Sequence, residues 1–130
     1  MPNNKMMWKV CGMKNASNIR QVAMLRPDFM GFIFYPPSPR FVGDDFSQAN
    51  TSHLGETKTV GVFVNQSTEE ICDKINRYKL DYVQLHGDEP LEQVRELSPY
   101  AGIIKVISGN NLPPISELRP FEPFLTYWLI

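Results

Sequence analysis

At 130 residues with 42% apolar side chains, the chain has room for one hydrophobic core and little more, and it needs neither disulfide nor metal to fold. Thirteen Lys and Arg stand against fourteen Asp and Glu, for a net charge of −1 with no run of like charge, which removes the electrostatic case for a nucleic-acid or membrane-surface partner. Met1 to Val10 lacks the apolar segment of a secretory leader, and the longest apolar run, Phe29 to Tyr35, is too short to span a bilayer; Cys11 and Cys72 form no disulfide or zinc pattern, so the expected location is a reducing cytoplasm.

Short apolar runs alternate with amphipathic stretches, as in repeated βα units on a parallel sheet. Trp8 to Cys11 reads as the first strand, closed by Gly12, and Asn15 caps a helix to about Leu25 with Ile19, Val22 and Ala23 on one face. Pro27-Asp28 ends that helix. Phe29 to Phe34 is nearly all apolar, as suits a second strand covered on both faces. A proline-rich loop from Tyr35 to Asp45 leads to a polar helical stretch over about Ser47 to Leu54, and Thr59 to Val64 is the third strand. Ser67-Thr68-Glu69-Glu70 has capping-box spacing ahead of Ile71 and Ile75. Asp81 to Leu85 makes a fourth strand, Pro90 to Leu97 a short helix with proline in its first turn, and Gly102 to Ser108 a fifth strand. Pro113 to Pro123 leaves room for one short helix before a sixth strand within Phe124 to Ile130.

Six strands and five crossovers fit either a doubly wound open sheet or part of an eight-stranded barrel, and local pattern does not separate them. Neither GxGxxG nor GxxxxGK[ST] occurs, which argues against nucleotide binding. In parallel α/β folds ligands sit beyond the carboxyl ends of the strands. Those ends hold Cys11-Gly12, Tyr35 to Arg40, Asn65, Gln84 to Glu89 and Ser108-Gly109.

Cys11, beside a glycine at a strand end, suits a base or nucleophile, although by position alone a free cysteine is more often a buried core residue; mid-helix Cys72 reads as packing. His86 suits proton transfer, anion binding or a turn, and shares strand parity with Gln84. Arg40, in its stiffened loop, suits a carboxylate or phosphate, or else a solvated surface charge. Asp88 and Glu89 read as helix-start carboxylates. Lys9 and Lys105 lie inside strands, where an ammonium is costly unless paired, so Lys9 is expected in an ion pair.

Lys9-Val10-Cys11-Gly12, Gly31 to Tyr35 with Pro36-Pro37-Ser38-Pro39-Arg40, Val60 to Asn65 and Val83-Gln84-Leu85-His86-Gly87-Asp88-Glu89 resemble, in this order and spacing, the phosphoribosylanthranilate isomerases of tryptophan biosynthesis. The resemblance runs from about Trp8 to Ile130 and weakens after Ser108. It implies an incomplete (β/α)8 barrel and a cofactor-free Amadori rearrangement of N-(5′-phosphoribosyl)anthranilate, a phosphosugar substrate, to the 1-deoxyribulose 5-phosphate derivative. In that chemistry a general acid opens the furanose to a Schiff base, and a general base removes the C2′ proton. The resemblance makes Cys11 the base and Arg40 the holder of the anthranilate carboxylate, with Gln84 and His86 lining the site.

It also implies that these residues correspond to roughly three-quarters of a barrel of about 200 residues. Tyr127 to Ile130 resembles the strand that leads into the family's acidic aspartate, and the phosphate-binding loops follow later still. The expectation is therefore a single partial barrel domain, inactive alone and prone to self-associate through open sheet edges. The alternatives are a non-enzymatic barrel fragment, or another phosphosugar barrel enzyme from a neighbouring biosynthetic step.

Overall fold

The computed structural model describes residues 6–130. Its elements run β1 (Lys9–Val10), α1 (Ala16–Ala23), β2 (Phe29–Ile33), β3 (Lys58–Phe63), α2 (Thr68–Tyr78), β4 (Tyr82–Leu85), α3 (Leu91–Leu97), β5 (Gly102–Val106), α4 (Ile115–Leu118) and β6 (Tyr127–Leu129), with 3-10 turns at Gln48–Asn50 and Arg119–Phe124. All six strands join one parallel sheet in the order β1-β2-β3-β4-β5-β6. Among the described residues no helix is long and apolar enough to cross a membrane.

Local chemistry explains most boundaries. Asn15 caps α1 by accepting from the amides of Ser17 and Asn18 at 2.9 and 3.2 Å, and Ser67 caps α2 by accepting from Glu70 N at 3.1 Å. Pro90 occupies the N-cap of α3, one residue before the helical first turn expected for it.

Two expected helices come out shorter and tighter. Between Ser47 and Leu54 a single 3-10 turn forms, because Asn50 folds its side chain back onto the Ser47 amide and hydroxyl at 3.0 and 2.9 Å in place of extending the helix. The segment from Pro113 to Pro123 splits into α4 and the second 3-10 turn. Pro120 and Pro123 lack the N–H that an α-helical ladder requires. The first strand is two residues where four were expected: the Trp8 amide donates to the Asp28 carboxylate at 2.9 Å, and Gly12 turns the chain away at φ 79.

Strand parity sorts the side chains onto two faces. The outer face, with Met30, Phe32, Phe63, Val83, Leu85 and Ile103, packs under the helices together with Ile19, Ile71, Ile75, Val94 and Leu97 in one core. On the opposite, concave face the register aligns Gly31 with Val60 and Val60 with Tyr82; Val62 lies beside Gln84, and Gln84 beside Ile104.

This concave face is strongly curled. Four strand spacings, about 19 Å in a flat sheet, separate β2 from β6, yet the rings of Phe29 and Tyr127 meet edge to face with centroids 5.9 Å apart and share Tyr82 as a neighbour. The strand order has no reversal, and the sheet curls until strands four places apart touch across its concave face. The architecture is thus six units of an incomplete (β/α)8 barrel; the doubly wound alternative requires an order that switches direction.

Candidate active site

The carboxyl end of the concave face gathers residues from three separate segments. Cys11 lies just past β1, half-buried, with its Sγ against Gly31 of β2: a Cβ built on that glycine would stand 2.9 Å from the sulfur. Arg40 comes from the proline-rich loop, which returns to the sheet through a parallel bridge between Phe41 and Ile33. Its guanidinium folds onto Gly12, where a Cβ would come within 2.8 Å of Cδ and Nη1. Arg40 is otherwise exposed. Gly12 therefore serves twice, adopting a left-handed φ and leaving room for the arginine.

Lys9 and Gln84 complete the cluster. The Lys9 ammonium donates to Gln84 Oε1 across the bowl, although three strand spacings, about 14 Å when flat, lie between β1 and β4. Burial holds the Lys9 ammonium below its ordinary value of 10.5; the adjacent Cys11 thiol opposes that shift, and the Arg40 cation adds to it. The expectation that Lys9 sits in an ion pair is corrected, since its partner is a neutral amide carbonyl. The interior ion pair belongs to Lys105, on the outer face, which reaches Glu89 at 3.0 Å with both side chains nearly or wholly buried.

His86 does not enter this cluster. It follows β4 on the same rim, is exposed, and lines a hollow of about 810 Å³ with Asn65, Lys105, Ser108, Asn111 and Trp128. The turn that carries it is braced from below. Glu89, 2% exposed, accepts from the amides of Asn65 at 2.9 Å and Gly87 at 2.9 Å, while Lys105 also donates to the Gly87 carbonyl at 2.8 Å. Asn65, at φ 54, accepts from Asp88 N at 2.8 Å and packs against Gly87, where a Cβ would fall 2.4 Å from Asn65 Oδ1.

Glu89 is the residue that sequence reasoning misassigned. Its place before α3 suits the helix dipole, but its contacts are those of a buried tie between three strand ends. The available signal was Lys105 itself, an ammonium inside an apolar strand that demanded a carboxylate nearby.

The other features offer less. Cys72 lies half-buried on α2, its thiol pushed up by burial and then by Glu96, and it faces none of the residues above. A larger cavity of about 1070 Å³ opens at the amino ends of the strands, lined in part by Arg20, His53, Phe29 and Tyr82. None of the expected site residues reaches it, and barrel chemistry sits at the carboxyl face. Among the described residues no group of three His, Cys, Asp or Glu is arranged to hold a metal. The Lys9, Cys11, Arg40 and Gln84 cluster thus combines a thiol able to exchange a proton with two cations and an amide suited to an anionic, oxygen-rich ligand.

Known proteins share both sequence and fold. Residues 8–117 match the family N-(5′-phosphoribosyl)anthranilate isomerase. The chain is 40% identical over 127 residues to the N-(5′-phosphoribosyl)anthranilate isomerase of Parabacteroides distasonis, covering 95% of this chain and 58% of that protein. It is 43% identical over 126 residues to the Phocaeicola vulgatus protein of the same name, of which it covers 59%. The chain therefore spans under three-fifths of these relatives, a smaller share than the three-quarters expected.

Among solved structures, a phosphoribosylanthranilate isomerase bound to reduced 1-(o-carboxyphenylamino)-1-deoxyribulose 5-phosphate superposes with a TM-score of 0.76 at 29% identity, over 88% of this chain and 58% of that one. Monomers generated from the dimeric Thermotoga maritima enzyme superpose with a TM-score of 0.80 at 27% identity, over 96% of this chain and 64% of that one. With the family match covering most of its length and both curated relatives well above 30% identity, the chain belongs to the N-(5′-phosphoribosyl)anthranilate isomerase family.

Proposed function

We propose that this chain supplies the base-bearing part of an enzyme that converts N-(5′-phosphoribosyl)anthranilate to 1-(2-carboxyphenylamino)-1-deoxyribulose 5-phosphate. The observation that carries the reading is the convergence of Cys11 and Arg40 beside Gly12 at the carboxyl end of one curled sheet. Cys11 takes the C2′ proton of the ring-opened Schiff base, and the enolamine so formed tautomerises to the ketone. Arg40 pairs with the anthranilate carboxylate through a planar fork suited to that group. Gln84 lines the floor. His86 stands at the rim, exposed beside the adjoining hollow, where it meets the outer part of a phosphosugar. The solved relative that holds a reduced product analogue supports this class of ligand.

The test uses a barrel completed with the remaining strands of the Parabacteroides relative. The chimera is expected to turn over phosphoribosylanthranilate, and Cys11→Ala to lower kcat by about 10²–10⁴-fold, the usual worth of a general base, while Cys72→Ala leaves kcat near its starting value. A Cys11→Ala chimera with nearly full turnover would remove Cys11 from the chemistry.

A further inference from the structure

Gln84 is the deepest polar side chain on the concave face. The residue is 5% exposed, flanked in register by Val62 and Ile104, and its Oε1 accepts from Lys9. An ammonium can only donate, so the identity of this partner decides which end of the amide is which: oxygen toward β1, nitrogen away from it. The Gln84 Nε2 donates to no acceptor among the described residues, and no fully buried side-chain nitrogen or oxygen there lacks a partner, so this NH2 reaches the open side of the bowl. Lys9 is itself held in place. Neither ion pair of the described residues includes it, Arg40 repels it from the rim side, and the Gln84 carbonyl is the acceptor left to it.

We propose that Lys9 is a positioning residue that locks the Gln84 amide so that Nε2 donates a hydrogen bond to an oxygen of the bound sugar beside Cys11. This rests on the isomerase reading and adds to it a residue and a direction. Without Lys9 the amide can rotate and present its carbonyl, which repels a sugar oxygen that has no proton to give. A donor fixed in an otherwise apolar wall also discriminates, because a ligand lacking the matching oxygen leaves that NH2 unpaired.

The experiment uses the 130-residue chain itself, isotopically labelled, and observes side-chain amides by NMR in the wild type, Lys9→Met, Lys9→Arg and Gln84→Glu. In the free protein the Gln84 Nε2 group is expected to be as ordered as the backbone in wild type and Lys9→Arg. In Lys9→Met it becomes as mobile as that of Gln21, an exposed side chain of α1, while backbone order is unchanged. The probe is reduced 1-(o-carboxyphenylamino)-1-deoxyribulose 5-phosphate. It should shift the Gln84 NH2 resonances of wild type and Lys9→Arg, and bind about three- to tenfold more weakly to Lys9→Met and Gln84→Glu, the worth of one hydrogen bond.

A Gln84 amide already mobile in the wild type, or equal affinity in all four proteins, overturns the proposal. If the probe moves Cys11 and Arg40 but leaves the Gln84 NH2 untouched, only this inference falls. If it moves none of the three, in this chain and in the completed barrel alike, the isomerase reading falls and the donor role with it.

Discussion

Arg40 at the rim and Lys9 inside the bowl are two cations with different tasks, and substitution separates them. In the completed barrel, Arg40→Ala should raise KM more than it lowers kcat, because a carboxylate fork remote from C2′ binds ground and transition states alike. Loss of a charge-assisted hydrogen bond costs about 1.5–3 kcal/mol, so KM should change at least about tenfold. An unchanged KM returns Arg40 to the solvated surface that its exposure also allows. For Lys9 the readout is stability. Burial, with Arg40 nearby, holds its ammonium below 10.5, so in the window between the folded value and 10.5 the unfolded chain binds more protons than the folded one. Stability must then rise with pH through that window and fall as pH drops through the folded value. Lys9→Met should flatten this rise, seen as a smaller gain in urea midpoint between about pH 7 and pH 10. Cys11 and Arg40 were legible in the sequence as residues at strand ends. That Lys9 pairs with an amide was not, because its partner lies 75 positions away and three strands across.

At the scale of elements, the tie between β5 and the turn after β4 is the feature to break. Lys105→Met strands the Glu89 carboxylate in a buried site, and removing one partner of a buried pair typically costs about 3–5 kcal/mol. Urea unfolding should show a loss of that order, and a loss below about 1 kcal/mol would mean that water reaches the carboxylate. Helices α1 and α2 were readable because their caps, Asn15 and Ser67, act within three residues. The stretch after Ser47 was misread as a helix for a related reason. Its polar residues satisfy local backbone groups, but it lacks an apolar face to hold further turns, and Thr51 ties it to the Tyr78 carbonyl at 3.0 Å instead.

For the whole molecule, the open edges make the prediction. Among the described residues β1 and β6 each pair on one side only, which leaves strand N–H and C=O groups free for a partner. The 130-residue chain is expected to sediment as a concentration-dependent oligomer. A species that stays monomeric across the concentration range would show that these edges are covered from within the chain.

The βα rhythm, the strand ends and the motifs that carry family membership are properties of short segments, so the sequence alone determined them: alternation, caps and prolines act over a few residues. Whether those units lie flat or curl was beyond local pattern, and the sequence spoke for a barrel only through the family that its motifs resemble. The tertiary structure decided it physically, because curvature is a relation between strands far apart in the chain. Lys9 reaching Gln84 and Phe29 touching Tyr127 are contacts that a flat sheet would hold about 14 and 19 Å apart. The same holds for Glu89, whose place before a helix is written locally while its role as a buried partner of Lys105 depends on which strand the barrel sets beside it.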